Sequence, residues 1–509
     1  MQPTALFLTL ALSSAGLSLS GGALADALEG FEYRVLIKGL VVDGNPVSPT
    51  PTPLSLSLRE AALDPATVGQ TYSFDFRSLL ELSGGNPIPP VSGISWGSLG
   101  GLPAGLQMDL HTGVLSGTPT SKNATGAVFE VFAAHGGVQG TQTYTLVING
   151  VPLRVLQVVG GNEHTCALTV SGGVKCWGLN GSGQLGDGST QSRNIPTDVT
   201  GLTSGVVSIA AGYHHTCALT TAGGVKCWGA GAAGQLGYGG LLGRTLPENV
   251  QGLSTGVAGI AAGMNHTCAV TTGGAAFCWG LNGSGQLGDA TTLSKSAPVA
   301  VSGLSTGVSR IFAGYYHSCA LTTHGGVLCW GQDDMGQLGN DMTFANQLTP
   351  VPVTGLSTGV AALTAGVFHN CAIGTGGGLK CWGADNYGQL GNNTTLANQP
   401  VPADVQGLGT EVSSVTAGGH HTCAVTTTGV KCWGRNSQGQ LGVSGSSNRP
   451  VPVDVQGLTA NILQIGMGYH HTCAISTDTH LRCWGLNSEG QLGIDTRGGT
   501  YDSPQLVIP

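Results

Sequence analysis

The residues with most chemical potential in this chain are its cysteines, and they recur in a fixed pattern. Seven His-x-Cys tripeptides each precede a Cys-Trp-Gly tripeptide. The pairs are Cys166 and Cys176, Cys217 and Cys227, Cys268 and Cys278, Cys319 and Cys329, Cys371 and Cys381, Cys423 and Cys432, and Cys473 and Cys483. Six pairs are ten residues apart and one, Cys423 and Cys432, is nine apart. Metal ligation and disulfide formation both suit such residues. Structural zinc needs four ligands, and each unit regularly offers three, so no metal site is expected. The repeated His is read instead as satisfying backbone groups between repeats.

The disulfide reading follows from strand register. Placing Cys217 opposite Cys227 puts Ala218 opposite Lys226, Leu219 opposite Val225 and Thr220 opposite Gly224. A three-residue turn remains, Thr221-Ala222-Gly223, with Gly where a positive φ is needed. Directly opposed residues at a non-hydrogen-bonded position have Cα atoms about 4.5 Å apart, within disulfide range. Each bridge would add roughly 2–3 kcal/mol.

Other reactive constellations are weak. Acids such as Asp187, Asp333, Asp334 and Glu489 are scattered, with no recurring carboxylate pair. Gly93-Ile94-Ser95-Trp96-Gly97 matches a nucleophile elbow in letters only, because no strand–turn–helix context surrounds it. A Gly-rich phosphate cradle ending in Lys-Ser/Thr is missing. No catalytic residue and no cofactor are therefore assigned.

What must position the cysteines is a repeat. Gly-Gln-Leu-Gly follows each Cys-Trp-Gly, and the period is 50 to 52 residues. Within Val206 to Leu253 there are four strand-like runs. They are Val206 to Ile209, His215 to Thr220, Val225 to Trp228, and a Pro247-containing edge strand. Four strands per unit at this period predict a propeller blade. The array begins at Val155–Val159 with a first strand and ends at Ser503 to Val507 with a last one. The termini are accordingly expected to share one blade and clasp the ring.

The unit Ala-Gly-x-x-His-Thr-Cys-Ala-Leu-Thr … Gly-Val-Lys-Cys-Trp-Gly-x-Asn-x-x-Gly-Gln-Leu-Gly resembles the regulator of chromosome condensation repeat, a family of seven-bladed propellers. Exported bacterial relatives that carry such Cys pairs look like a closer match. The family's eukaryotic namesake exchanges guanine nucleotides on a small GTPase and binds chromatin. No motif here carries that activity over. Upstream, Val68 to Phe74, Leu102 to Leu106 and Asp109 to Pro119 are similar to the Ig-like, cadherin-like module of bacterial surface proteins. Related cadherin modules hold calcium through acidic clusters. Asp75 and Asp109 are isolated, and calcium there is the one cofactor left open.

The expected architecture is all-β, a seven-bladed β-propeller with an N-terminal Ig-like β-sandwich. Residues 1–25 read as a secretory signal, with an apolar run at Leu6–Leu12 and an Ala23-Leu24-Ala25 cleavage site. No Lys or Arg precedes that run. Residues 26–53 hold an unassigned strand-like run, Phe31 to Val42, and a stiff Pro-rich linker from Val47 to Pro53. The Ig-like module spans 54–149 and the propeller 151–509. Gly, at 87 residues, exceeds the usual ~7% and suits a turn-rich all-β chain. The net charge of −8, with no Lys/Arg block, argues against a nucleic-acid partner. No later apolar run is long enough to span a membrane.

Function then falls to loops. The divergent ones follow Gly-Gln-Leu-Gly, at Asp187–Pro196, Tyr238–Pro247, Asp289–Pro298, Asn340–Pro350, Asn392–Pro400, Val443–Pro450 and Ile494–Pro504. Arg193, Arg244 and Arg449 within them are candidate binding residues. The expected protein is a secreted or cell-surface monomer that binds a protein or glycan through these loops. A guanine-nucleotide exchange regulator is the alternative, and an extracellular hydrolase or lyase on a propeller scaffold is the second. Limited proteolysis should cut first in the Pro-rich linker and near Gly150-Val151-Pro152, releasing fragments 54–149 and 151–509 that fold alone. A 151–509 fragment without cooperative unfolding would overturn that boundary.

Overall fold

The computed structural model describes residues 53–509 except 85–89, 342–343, 396–397, 460 and 509. The signal reading and nearly all of the segment 26–53 lie outside the described residues. Alternation in Tyr144 to Ile148 places Tyr144, Leu146 and Ile148 on one face, at 2, 0 and 1% exposure. Their strand, Val138–Asn149, pairs with Asn123–His135, which pairs with Ser95–Leu99. A three-stranded sheet of Tyr72–Asp75, Val114–Gly117 and Leu106–Met108 is the other main layer. Phe76, Trp96, Leu115 and Phe129 fill the space with Tyr144.

From Val155 onward the described chain forms seven four-stranded antiparallel sheets, each in plain sequence order. Blade 2 shows the pattern, with strands Val206–Ala211, His215–Thr220, Val225–Gly229 and Arg244–Asn249. The hairpin register pairs Cys217 with Cys227, Ala218 with Lys226 and Leu219 with Val225. Gly223 turns the hairpin at φ +76°. Seven disulfides join the Cys pairs, with Cα atoms 4.0–4.1 Å apart. In blade 6 the turn is one residue shorter, and Thr426 pairs directly with Gly429. The first strands surround a central channel of about 630 Å³.

The cores lie between blades, not within them. Trp279 of blade 3 packs with Cys217, Cys227, Leu236 and Val250 of blade 2. Trp177 of blade 1 likewise packs with Cys473 and Cys483 of blade 7. A blade therefore supplies half of two cores and cannot bury its faces alone. A polar relay crosses the same seams. The Trp279 indole N–H and the Thr267 hydroxyl both donate to the Gln235 backbone carbonyl, at 2.9 and 2.8 Å. His215 Nε2 lies 2.9 Å from the same Thr267 hydroxyl. The set recurs at all seven seams, including the last, where His471, Thr165, Trp177 and the Gln491 carbonyl meet. Two seams vary the middle member, with Ser318 or Asn370 in place of Thr. The partner of the His is thus a side chain, which in turn holds the backbone carbonyl. Because the hydroxyl hydrogen is committed to that carbonyl, Nε2 carries the imidazole proton. Asn370 Oδ1, which can only accept, requires the same tautomer of His317 at 3.0 Å.

The ring does not close as expected. Blade 7 takes all four strands from its own repeat, Ile462–Met467, His471–Ser476, Leu481–Leu486 and Thr500–Leu506. The phasing that starts each unit on the channel strand and ends it on the outer strand leaves nothing to share. The chain entering blade 1 instead takes the place of an interblade linker. Leu153 N–H donates to Val507 O at 3.1 Å, as Leu202 N–H does to Val199 O at 3.1 Å. Val155 N–H donates to Thr479 O at 2.9 Å, as Val206 N–H does to Gly172 O at 3.0 Å. The break is bridged by the same hydrogen bonds that a continuous chain makes.

Two predictions follow from this packing. Intact mass after denaturing alkylation should show no adduct, and fourteen only after reduction; free thiols before reduction would overturn the bridges. The seven relay histidines are fully buried, and burial pushes His164, His215, His266, His369 and His471 down to about 3. Their folded values lie below the ordinary ~6.5, so the unfolded chain binds protons first as pH falls. Stability should be lost between pH 6.5 and about 3–4. Asp333, which burial raises to about 6, acts in the opposite sense but is outnumbered. Calorimetric melting should fall from pH 7.5 to pH 4.5; an unchanged or higher Tm at pH 4.5 would contradict the relay.

Candidate recognition site

The blade register decides which connections share a face. In blade 1, Gly160 pairs with Thr165, His164 with Gly178, and Gly178 with Arg193. The turn between strands 1 and 2 and the loop between strands 3 and 4 therefore leave from the same end. Leu179 N–H donates to Glu163 O at 2.8 Å and ties them together. All seven divergent loops lie on this face, as expected. The hairpin turns and interblade linkers occupy the other. Gly178 adopts φ +95°, and a Cβ there would meet Glu163 O at 2.4 Å. Its lack of a side chain lets turn and loop approach.

The two residues preceding each relay His vary while their surroundings repeat. They gather aromatic rings at the channel mouth. Tyr213, Tyr315 and Tyr469 have centroids 5.5, 6.2 and 6.3 Å apart. Phe368 lies 5.8 Å from Tyr315, and His420 5.5 Å from Tyr469. His420 Nε2 and the Tyr469 hydroxyl share a hydrogen bond of 3.1 Å. Tyr387 stacks near His420, and the Arg435 guanidinium lies 5.1 Å from the Tyr387 ring centroid. Burial pushes His420 and His470 down to about 4, and the neighbouring Arg435 charge adds to this. Burial, with adjacent phenols, holds the Tyr315 hydroxyl well above the usual tyrosine range. At neutral pH His420, His470 and the Tyr315 phenol are neutral, so the cluster is an aromatic surface with hydrogen-bonding tips and the Arg435 cation at its edge, suited to adsorbing a partner. Sequence reasoning missed it. The available signal was the variable dipeptide inside the constant Gly-x-x-His run.

On the same face, the loop rim of blades 2 to 4 is apolar. Leu241, Leu242, Leu246, Leu293, Phe344 and Leu348 are exposed there, Leu242 to 71%. The matching loop of blade 1, Asp187 to Ser192, is polar throughout.

The three candidate arginines all begin fourth strands on this face. Arg193 Nε and Nη2 donate to Asp187 Oδ2 at 3.0 and 2.8 Å. The Arg244 guanidinium lies 4.3 Å from the Tyr238 ring centroid and 3.6 Å from the Glu248 carboxylate. Two of the three thus hold their own loops. The Arg449 side chain, on the residue opposite Gly434, makes no hydrogen bond or ion pair among the described residues. In the Ig-like module, Asp75 pairs with Arg77 and Asp109 accepts the amides of His111 and Thr112. Ser95 donates to Ala134 O within its sheet. Among the described residues no group of three or more His, Cys, Asp or Glu could hold a metal. No helix among them is long and apolar enough to cross a membrane.

A ring of seven disulfide-stapled blades with every non-repeating loop on one face defines a β-propeller recognition scaffold. Family models agree. The RCC1-like domain matches residues 243–508, and the regulator of chromosome condensation (RCC1) repeat matches 171–219, 155–184 and 206–235. The chain belongs to the RCC1 repeat family. The family model named Putative Ig domain matches 40–149. The ultraviolet-B receptor UVR8 of Arabidopsis thaliana is 33% identical over 359 residues, covering 68% of this chain and 80% of the receptor. The human E3 ubiquitin-protein ligase HERC2 is 31% identical over 300 residues, 57% of this chain but 6% of that ligase. Among solved folds, Saccharomyces cerevisiae Prp20p superposes with a TM-score of 0.60 at 20% identity, covering 70% of this chain and 88% of that one. Human WBSCR16 gives 0.59 at 24%, covering 66% and 93%.

Proposed function

We propose that the protein is an extracellular recognition module that docks a protein partner on the loop face and performs no chemistry on it. Propeller relatives share a protein-interaction or regulatory role. They include a light receptor, a ubiquitin ligase, and the yeast protein whose structure was described with its binding to Gsp1p and histones. The observation that carries the reading is the aromatic cluster at the channel mouth together with the exposed leucines in the loops of blades 2 to 4 on the same face. Contiguous exposed apolar surface marks protein contacts. Aromatic anchors at the centre of a face are the residues that dominate binding energy. Arg449 adds an uncommitted cation at the rim.

Seven bridges and an Ig-like module of the bacterial surface type support an oxidising, extracellular setting. That setting removes the cytoplasmic GTPase that nucleotide exchange requires. Accelerated GDP release from a small GTPase of the same organism would overturn this choice.

The full chain should capture a partner from a cell-surface protein extract. Leu242→Asp with Leu293→Asp should weaken capture at least ten-fold, and Tyr315→Ala likewise. The leucine variant should keep its melting temperature, since exposed substitutions usually stay within about 0.5 kcal/mol. Capture unchanged by both variants would refute docking on this face.

A further inference from the structure

The first strand of each blade leaves one peptide edge free along the channel. In blade 2 the Ala210 peptide faces Cys217 of the second strand, so Ile209 turns its N–H and C=O inward. Gln157 of blade 1 caps both: its Oε1 accepts the Ile209 N–H at 2.9 Å, and its Nε2 donates to Ile209 O at 3.0 Å. Two further seams are capped in part. Thr364 Oγ1 accepts the Ala417 N–H at 3.1 Å, and Thr416 Oγ1 donates to Ile465 O at 3.0 Å.

The inner edges of blades 3 to 5 lack such caps among the described residues. Their register turns the N–H groups of Ile260, Ile311 and Leu363 to the channel. The counterpart of Gln157 in blade 4 is Arg310, paired with Leu321 as Gln157 is paired with Leu168. A guanidinium carries donors only, so Arg310 cannot do for the Leu363 N–H what Gln157 does for that of Ile209. Among the described residues Arg310 is the one charged residue lining the channel, and its side chain makes no hydrogen bond or ion pair. A cation and inward amides therefore share one side of the channel with no anion built in. Gly259, Ala262, Ala313 and Ala365 line the same side and leave space there.

We propose that the channel receives the free carboxylate end of an extended peptide with small side chains. Tyr213, Tyr315 and Tyr469 stand together at the loop-face mouth, with centroids 5.5–6.3 Å apart, so the peptide enters from the linker face. Arg310 holds the carboxylate with two parallel N–H donors, and the Leu363 N–H adds a third. The N–H and C=O groups of the peptide pair with the free edges of blades 3 to 5, as an added strand pairs with a sheet edge. An alkyl chain in the same place would bury those edges unpaired, which is costly. Six-residue strands run about 20 Å at ~3.3 Å per residue, so a volume of about 630 Å³ spreads into a slender well that admits small side chains. This site is separate from the loop-face docking surface.

Calorimetric titration of the full chain with trialanine should show one site. Trialanine amide, which lacks the carboxylate, should bind at least ten-fold more weakly, and so should acetate, which lacks the peptide. Arg310→Gln should weaken trialanine at least ten-fold and keep the melting temperature, because it puts the glutamine of blade 1 at the same place in blade 4. Leu242→Asp with Leu293→Asp, on the loop face, should bind trialanine as the wild type does. Absence of trialanine binding, equal binding of the amide or of acetate, unchanged binding by Arg310→Gln, or loss of binding in the leucine variant overturns the proposal. None of these results touches capture of a protein partner on the loop face.

Discussion

Each blade hangs on one backbone carbonyl of its neighbour. The glutamine carbonyl of Gly-Gln-Leu-Gly receives the indole N–H and the hydroxyl, or in one blade the amide, of the next blade. Gln184, like most of its equivalents, is fully buried, so these bonds form away from water. Leaving such a donor unpaired there costs about 1–3 kcal/mol. The geometry of that carbonyl explains much of the repeat. The second Gly of the turn is required because a Cβ at Gly186 would lie 2.7 Å from the Trp228 indole nitrogen. The Trp must follow a Cys because its ring then covers the disulfide of the preceding blade. The His must precede the Thr by one residue so that it can bond the Thr of the following blade.

A sevenfold scaffold held this way tolerates variation only where the relay and the cores do not reach. Two such places exist on the loop face: the dipeptide before each His and the segment after each Gly-Gln-Leu-Gly. Both break the symmetry of the ring. Tyr213 and Tyr315 stand at the axis of blades 2 and 4, the exposed leucines lie in the loops of blades 2 to 4, and Asp replaces Asn in blades 4 and 5. Several of the loops hold themselves with internal pairs, such as Arg193 with Asp187 in blade 1 and Lys295 with Asp289 in blade 3. Symmetry supplies stability, and departure from it marks where this member of the family differs from a bare ring.

The repeat, the cross-strand register and the cysteine pairing were all legible in the sequence. Periods of two and of about fifty residues are local or additive properties of the chain. The same is true of the buried face of Tyr144, Leu146 and Ile148. Other features depend on which residues meet across a blade seam or around the axis. Tyr213 and Tyr469 are 256 positions apart in the numbering and 6.2 Å apart in space. No spacing rule connects them until the ring closes. The partner of each His, the internal pairing of Arg193 and Arg244, and the unpaired charge of Arg310 in the channel have the same origin.

Ring closure itself divides the two kinds of information most clearly. Sequence alone determined that seven equal units exist and that their hairpins are bridged, because each unit carries its own turn residues and its own cysteines. It also showed that the array begins on a channel strand and ends on an outer one. Only the tertiary structure decided how the ends meet. A shared blade and a set of seven complete blades are both compatible with that phasing. The second holds here because Leu153 and Val155 reach Val507 and Thr479 with the hydrogen bonds of an ordinary interblade linker. That placement depends on the curvature accumulated over seven seams, a property that no single repeat contains.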